Sequence, residues 1–322
     1  MARRIRLGVL DVGSTTAHLA MFELTAGERL RPLGSLKRPT RLGQDAPGDR
    51  RLGAAEIERA AVAVGECVDH ARRQRMDELA AFATSVVRDA PNAGKAVRRI
   101  AAATGVELGF LDGRADAELT FLAARAWCGR SADRLLVADI GGGTIEIAYG
   151  AGAVPDIAVS LPLGARRLTA EHLPADPPRP RQVKALRRLV DAAVTGLADD
   201  LELDGGVDRA VAASRTLAQL AALTTGPDRR PGLLEHRPLI EHLGPLTVMA
   251  ADQRARLPGI TRPRARQIVA GAIVADSLLG TLDLPALEIC PWALREGAAL
   301  HRLAAFTDRT RPRLIEHLLH PL

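Results

Sequence analysis

The chain has 322 residues, of which 47% are hydrophobic, and its formal net charge is +6. This length fits one large or two ordinary domains, and the lack of a continuous basic tract or an aromatic RNA-binding signature argues against a nucleic-acid partner. The longest apolar segment, residues 268–280, contains Asp276 and is too short to span a bilayer, so we expect no membrane insertion. Cys67, Cys128 and Cys290 form no CxxC pair, which predicts a reducing, cytoplasmic location.

Arginine dominates the basic residues, because only Lys37, Lys95 and Lys184 among the 44 are lysines. Compositional drift explains such a bias. An anionic ligand explains it too, since the arginine side chain matches phosphate geometry in a bidentate way. The composition leaves both interpretations open.

Strands and helices alternate along the chain. In the first part, the pattern predicts strands over residues 5–12, 17–24, 78–84 and 106–113, and helices over 54–76, 96–105 and 117–127. The pattern then begins again, with strands over 134–140, 145–150, 156–163 and 209–214, a loop over 175–181 and a helix over 181–201. A loop is predicted over 226–232, and the remainder is mostly helical in pattern. Such alternation indicates an α/β fold.

Two stretches of the chain repeat one another. Residues 11–23, DVGSTTAHLAMFE, and 139–150, DIGGGTIEIAYG, both run from a strand through Asp, an aliphatic residue, Gly and hydroxyl residues into a second strand. They lie 128 residues apart (139 minus 11), which is roughly the length of a domain. The sequence therefore predicts two related half-molecules.

The repeated loops carry the chemistry of a polyphosphate site. Glycine turns let backbone N–H groups approach phosphate oxygens closely. Asp11 and Asp139 end their strands beside the turns, where carboxylates can hold Mg²⁺ directly or through water. We expect the two loops to face each other across a cleft and clamp a polyphosphate, with Glu146 orienting or activating water. Two ordinary β-hairpins with glycine turns are the alternative.

Further motifs lie between and after the loops. They are RLG (41–43), ATSVVRDAPN (83–92), LDGRADAELTF (111–121), SLPLGARRLT (160–169), IVAGA (268–272) and LREG (294–297). Together with the two loops, this ordered set resembles the exopolyphosphatase and guanosine pentaphosphate phosphatase (Ppx/GppA) family, a branch of the superfamily of acetate kinase, sugar kinases, Hsp70 and actin. The resemblance covers most of the chain and corresponds to the short, two-domain form of the family.

The resemblance implies two actin-like (ribonuclease H-like) α/β domains flanking an active-site cleft. We expect domain I over residues 1–125 and domain II over 126–297, with the C-terminal helices, about 298–322, packing back on domain I. The implied activity is release of a terminal phosphate from inorganic polyphosphate or a guanosine polyphosphate by metal-assisted attack of water, with Mg²⁺ or Mn²⁺ as the cofactor. The family also implies a homodimer.

Roles for individual residues follow from the resemblance and the loop chemistry. Asp11 and Asp139 are the expected metal ligands, and Asp116 and Glu146 the expected catalytic acids. The expected phosphate-binding residues are Gly13, Ser14, Thr15, Arg41, Arg88, Gly141, Gly142, Gly143 and Thr144.

The sequence departs from the family pattern at two places. Asp116 stands where the family usually has the glutamate taken as general base, so its carboxylate is one methylene shorter; Glu118 is a reserve candidate. Arg215 replaces a glycine of a turn in the second half. These changes keep open a non-catalytic binder of polyphosphate or guanosine alarmones and a pppGpp 5′-phosphohydrolase. A small-molecule kinase is a third alternative, although the region around 212–216 supplies no adenosine pocket.

Overall fold

The chain divides into two compact units in the computed structural model, which describes residues 4–42, 50–129, 133–201, 203, 206–225, 232–306 and 314–322. Unit 1 comprises Met1–Ala115 and Leu294–Leu322, and unit 2 comprises Asp116–Ala293. The expected domain limits near residues 125 and 297 stay a prediction. Gly43 of the RLG motif and residues 226–231 of the expected 226–232 loop lie outside the described residues.

Each unit is an α/β structure with a sheet of its own. The described strands are β1 (Arg4–Val12), β2 (Thr16–Thr25), β3 (Arg31–Pro39), β4 (Glu78–Ala83), β5 (Gly109–Phe110), β6 (Leu135–Ile140), β7 (Ile145–Gly150), β8 (Ile157–Leu161), β9 (Arg209–Ala212), β10 (Leu233–Glu235), β11 (Ala286–Ile289) and β12 (Leu319–Pro321). The described helices are α1 (Ala54–Arg73), α2 (Ser85–Arg88), α3 (Ala93–Thr104), α4 (Gly113–Cys128), α5 (Ala165–His172), α6 (Pro180–Leu201), α7 (Arg215–Thr224), α8 (His236–Val248), α9 (Ala251–Arg254), α10 (Ile268–Thr281) and α11 (Leu294–Ala304), with short 3-10 helices at Arg262–Arg264 and Glu316–Leu318.

The sheet of unit 1 has the strand order β12-β4-β1-β2-β3, with β5 paired to β4. Strands β1, β2 and β3 form an antiparallel meander, and β4 adds to β1 in parallel. Helix α1 covers this sheet with a buried stripe at helical spacing that includes Ile57, Val64 and Val68. Helix α11, from the far end of the chain, contacts β1 and β2.

Unit 2 repeats this arrangement. Its sheet has the order β10-β11-β9-β6-β7-β8, in which β6, β7 and β8 form the antiparallel meander and β9 pairs with β6 in parallel. The order β9-β6-β7-β8 therefore matches β4-β1-β2-β3 of unit 1, so the sequence repeat is also a structural repeat. Helix α10 is buried from Ile268 to Leu279, as expected for a helix that is apolar around most of its circumference.

Several short strands differ from the predicted elements. Strand β3 was not predicted, because it carries two prolines, a glycine and exposed charged residues; it lies at a sheet edge, where proline costs no ladder hydrogen bond. Within 106–113, only Gly109–Phe110 forms a strand. The predicted helical remainder also contains β10, β11 and β12, which are three or four residues long and too short to show a period of two.

No helix in the described part of the chain combines the length and apolar character needed to cross a membrane.

The three cysteines lie in the cores of the units. Cys67, Cys128 and Cys290 are 0%, 8% and 4% exposed, and burial raises the pKa of the Cys67 thiol to about 11 and also raises the pKa of Cys128. Because the thiolate is the reactive form, we expect Ellman's reagent at pH 8 to label essentially none of them in the native protein and all three in guanidinium chloride. Rapid labelling of a native thiol would contradict this packing.

Candidate active site

The first glycine loop, Gly13–Thr15, joins β1 to β2. The Gly13 amide donates to the Thr16 carbonyl at 2.9 Å and closes the hairpin. Thr40, which follows β3, holds the loop from one side: its hydroxyl donates to the Gly13 carbonyl at 2.8 Å and its amide to the Thr15 carbonyl at 3.0 Å. Among the described residues, the amides of Ser14 and Thr15 have no protein acceptor. These two N–H groups are therefore available to an anion.

The second glycine loop, Gly141–Thr144, has the same closing bond, from the Gly141 amide to the Thr144 carbonyl at 2.9 Å. The start of α5 then takes up all three glycine carbonyls. Ala165 donates to Gly141 at 3.0 Å, Arg167 to Gly142 at 2.9 Å and Gly164 to Gly143 at 3.2 Å.

The direction of these carbonyls determines where the loop amides point. In a trans peptide, the C=O of one residue and the N–H of the next lie on opposite sides of the bond. Because the carbonyls of Gly141, Gly142 and Gly143 are directed to α5, the N–H groups of Gly142, Gly143 and Thr144 are directed away from it. Three consecutive N–H groups on one side form a concave anion site.

Gly164 allows this close approach of α5 to the loop. Its backbone angles, φ −68° and ψ 143°, are open to any residue, so the position does not need glycine for conformational freedom. A Cβ added there would lie well inside van der Waals contact with the backbone of Gly143 and Thr144. Glycine is required here by space alone.

Asp139 and Glu146 lie side by side on β6 and β7. Asp139 is the register partner of Glu146, and Glu146 is the register partner of Ser160 on β8. Register partners project from the same face of a sheet, so these three side chains form one row across three strands. Glu146 is 6% exposed, and its Oε1 accepts a hydrogen bond from the Ser160 hydroxyl at 2.9 Å. The row places two acids next to the second glycine loop.

Asp11 is the counterpart of Asp139 in unit 1. Its Oδ2 accepts from the Arg295 guanidinium at 2.9 Å, whereas its buried Oδ1 has no hydrogen-bond partner in the described part of the chain. Burial raises the pKa of Asp11, and Arg295 partly offsets that rise. Arg295 belongs to the LREG motif on α11. Sequence reasoning noted the motif but not this partnership.

Each unit carries carboxylate oxygens of the kind that hold a magnesium ion in phosphoryl-transfer sites. Mg²⁺ is usually held by one or two carboxylates together with substrate phosphates and water, rather than by a closed protein cage. The unpartnered Oδ1 of Asp11 is an acceptor of this type, and so are the paired acids Asp139 and Glu146. In the described residues, no group of three or more His, Cys, Asp and Glu side chains is arranged to hold a metal.

Arg264 is a site residue that sequence reasoning missed. It is half-buried in the 3-10 helix before α10, close enough to Asp139 and Arg215 to interact with both charges. Burial lowers the pKa of its guanidinium, Arg215 lowers it further and Asp139 raises it. Arg215, at the start of α7, is exposed. The only sequence signal for Arg264 was its place four residues before the IVAGA motif.

Arg88 and Arg41, two expected phosphate ligands, both lie in unit 1. The Arg88 guanidinium donates to the Leu111 carbonyl at 2.8 Å and to Asp89 at 3.1 Å, so it ties α2 to the segment before α4. Arg41 is exposed, and its amide donates to the Thr15 carbonyl of the first loop at 3.4 Å.

Asp116 lies in the first turn of α4, outside both sheets. Asp112 caps this helix by accepting the Ala115 amide at 2.7 Å, and Asp116 accepts from the Thr120 hydroxyl at 3.5 Å. Glu118, the reserve acid, is half-buried on the same helix. Asp116 is therefore held at the beginning of α4. Its position does not depend on the strand register that aligns Asp139 with Glu146.

A substitution at Thr40 tests whether this residue stabilises the first glycine loop. Thr40 is fully buried, and its replacement by valine removes the hydroxyl that donates to the Gly13 carbonyl. We expect the loss of this hydrogen bond to lower the free energy of unfolding by about 1–3 kcal/mol. The melting temperature should fall by about 2–4 °C for each kcal/mol lost. Differential scanning fluorimetry measures this, with Thr195→Val on the exposed face of α6 as the control. Equal melting temperatures for the two variants would contradict a supporting role for the hydroxyl.

Comparisons with known proteins identify the family that this chain is similar to. The model of the "Ppx/GppA phosphatase family" matches residues 21–306. The chain is 42% identical over 311 residues to "Exopolyphosphatase 1" of Mycobacterium tuberculosis, covering 95% of this chain and 90% of that protein.

Two crystal structures share the fold. The Aquifex aeolicus member of the Ppx/GppA family has a TM-score of 0.78 at 22% identity, covering 95% of this chain and 100% of that one. An exopolyphosphatase from Cytophaga hutchinsonii has a TM-score of 0.82 at 21% identity, covering 93% and 98%. The predicted fold class, two actin-like α/β domains, is confirmed.

Proposed function

The chain belongs to the Ppx/GppA phosphatase family and hydrolyses phosphoric anhydrides, and from this premise we propose that it releases the terminal phosphate of inorganic polyphosphate. The observation that carries the proposal is the second glycine loop, whose three N–H groups point away from α5 beside the acids Asp139 and Glu146. The relatives named exopolyphosphatase, which cover nearly the whole chain, support the choice of substrate.

Phosphate binding is assigned to backbone amides and arginines. The N–H groups of the second loop, Gly141–Thr144, and those of Ser14 and Thr15 bind phosphoryl oxygens, as such concave N–H sites do elsewhere. Arg88, Arg41 and Arg264 add positive charge. Arg264 suits this role because its guanidinium is half-buried beside Asp139 and shares its surroundings with a second arginine, Arg215. An anion would relieve the repulsion between the two arginines.

Glu146 is the proposed residue that orients and deprotonates the attacking water. Its carboxylate is nearly buried and fixed by the Ser160 hydroxyl, which leaves it one preferred orientation. A general base must be held within hydrogen-bond reach of the water, and positioning accounts for much of the catalysis in phosphoryl transfer. Asp116 is the second proposed catalytic acid, acting from the first turn of α4.

Asp11 and Asp139 would hold the Mg²⁺ or Mn²⁺ ion. When bound, the ion supplies positive charge that neutralises the phosphoryl oxygens. Arg295 keeps Oδ2 of Asp11 occupied, so Oδ1 is the oxygen that would be left to hold the ion.

On the family resemblance, we propose that the protein is cytoplasmic and forms a homodimer. Light scattering after size-exclusion chromatography tests the oligomeric state.

The test is phosphate release by the purified protein with Mg²⁺, measured in parallel on short polyphosphate, long polyphosphate and pppGpp. Preferential release from polyphosphate supports the proposal. Preferential release from pppGpp would replace it with a guanosine pentaphosphate phosphohydrolase. Thermal stabilisation by polyphosphate without any release would indicate a binding protein built on a hydrolase scaffold.

A further inference from the structure

A cavity of about 430 Å³ opens between α6, α8 and α10 of unit 2. Its lining includes Val183, Arg187, Ile240, Leu243, Gly244 and Asp276, none of which belongs to the glycine loops or the acids beside them. We call this cavity the α6–α8 groove. Its volume lies in the range of small-molecule sites in proteins.

The lining of the α6–α8 groove includes one buried carboxylate, that of Asp276, which has two polar partners. Asp276, the one charged residue of α10, is 9% exposed. One of its carboxylate oxygens accepts from the Arg187 guanidinium, and the other lies 2.9 Å from the ring Nε2 of His236. Both oxygens of Asp276 are therefore used. Packing alone does not call for this arrangement, which we call the Asp276 cluster, because apolar residues of similar volume often replace buried ion pairs without loss of stability.

Arg187 retains unused binding capacity at the rim of the groove. A guanidinium carries five N–H donors, and the bond to Asp276 engages a single nitrogen of Arg187. The side chain is 40% exposed, so the other donors are accessible. Arg187 is the basic residue among those that line the groove.

The walls of the groove are apolar and open. Ile240 is 51% exposed, and it lies with Leu243 and Val183 along the lining. A Cβ added at Gly244 would meet nothing within 4 Å, so this part of the surface is open space. The groove therefore combines an apolar surface with arginine donors at one end.

We infer that the α6–α8 groove binds a small amphipathic anion. Its acidic group pairs with Arg187, and its apolar body covers Ile240 and Leu243. The apolar walls distinguish this ligand from inorganic polyphosphate, which has no apolar surface to bury against them. Burial of Ile240 adds hydrophobic stabilisation to the charge complementarity at Arg187.

The test uses 1-anilinonaphthalene-8-sulfonate as the probe, followed by fluorescence, with decanoate as the competitor. We expect saturable binding to the full-length protein and displacement by decanoate. Gly244→Leu fills the groove without touching the Asp276 cluster. Because Gly244 precedes Pro245 in α8, where a Cβ disfavours the helical conformation, the melting temperature of this variant is measured alongside, and Ile240→Ser, which removes the exposed apolar wall, serves as a second variant. Both variants should weaken probe binding, Gly244→Leu by about tenfold or more. Gly196→Leu, at an equally open glycine on α6 outside the groove, should leave probe binding unchanged.

Three outcomes would overturn the inference. The first is equal affinity of wild-type protein and Gly244→Leu for the probe. The second is displacement of the probe by pyrophosphate as effectively as by decanoate, which would make the site a plain anion site. The third is a change of oligomeric state in Gly244→Leu, measured by light scattering, which would make the groove an interface with a second copy of the chain.

Discussion

Replacing Gly164 by alanine is expected to reduce phosphate release by about two orders of magnitude while the protein remains folded. The new Cβ would collide with the backbone of Gly143 and Thr144, and backbone cannot move aside as the end of a long side chain can. The loop or the start of α5 must shift, which redirects the N–H groups of the second glycine loop. Misplacement of binding groups by about 1 Å costs on the order of 10²-fold in rate.

The control for Gly164→Ala is Gly196→Ala. Gly196 lies in α6, where an added Cβ meets nothing within 4 Å, so alanine should be tolerated or slightly stabilising. Rates on polyphosphate and melting temperatures are measured for both variants. A Gly164→Ala protein with wild-type rates would show that the contact between α5 and the loop is irrelevant to phosphate binding.

Replacing Glu146 by glutamine is expected to lower the rate of phosphate release by about 10²–10⁴-fold, the usual contribution of a positioned general base. The amide has nearly the same shape as the carboxylate and can still accept the hydrogen bond from Ser160. It cannot take a proton from water. Binding of polyphosphate should therefore survive, and the loss should be in kcat rather than in KM.

Two further variants make the result on Glu146 specific. Glu288→Gln makes the same change on β11, where the glutamate pairs with Arg209 on β9, and it should leave the rate near that of the wild type. Asp116→Asn, measured alongside, compares the two proposed catalytic acids directly. If Asp116→Asn abolished turnover and Glu146→Gln did not, the water-activating role would pass to Asp116.

Local patterns in the sequence predicted the parts of the site that a hairpin can build by itself. The segments 11–16 and 139–144 each form a turn closed by the same bond, from Gly13 to Thr16 and from Gly141 to Thr144. Such a turn depends on the identity of neighbouring residues, so its repetition was visible as a repeat of Asp, Gly and hydroxyl residues. The strands flanking both turns and the α/β class were predictable for the same reason.

The tertiary structure decided which distant residues complete each loop. Arg295 contacts Asp11 across 284 positions of the chain, and Arg264 approaches Asp139 across 125 positions (264 minus 139). The row of Asp139, Glu146 and Ser160 depends on strand register. Gly164 is required only because α5 packs against the second loop. These contacts arise from the packing of whole helices and strands against one another. The periodicity of apolar residues along the chain predicts which face of an element is buried, but not which element it packs against.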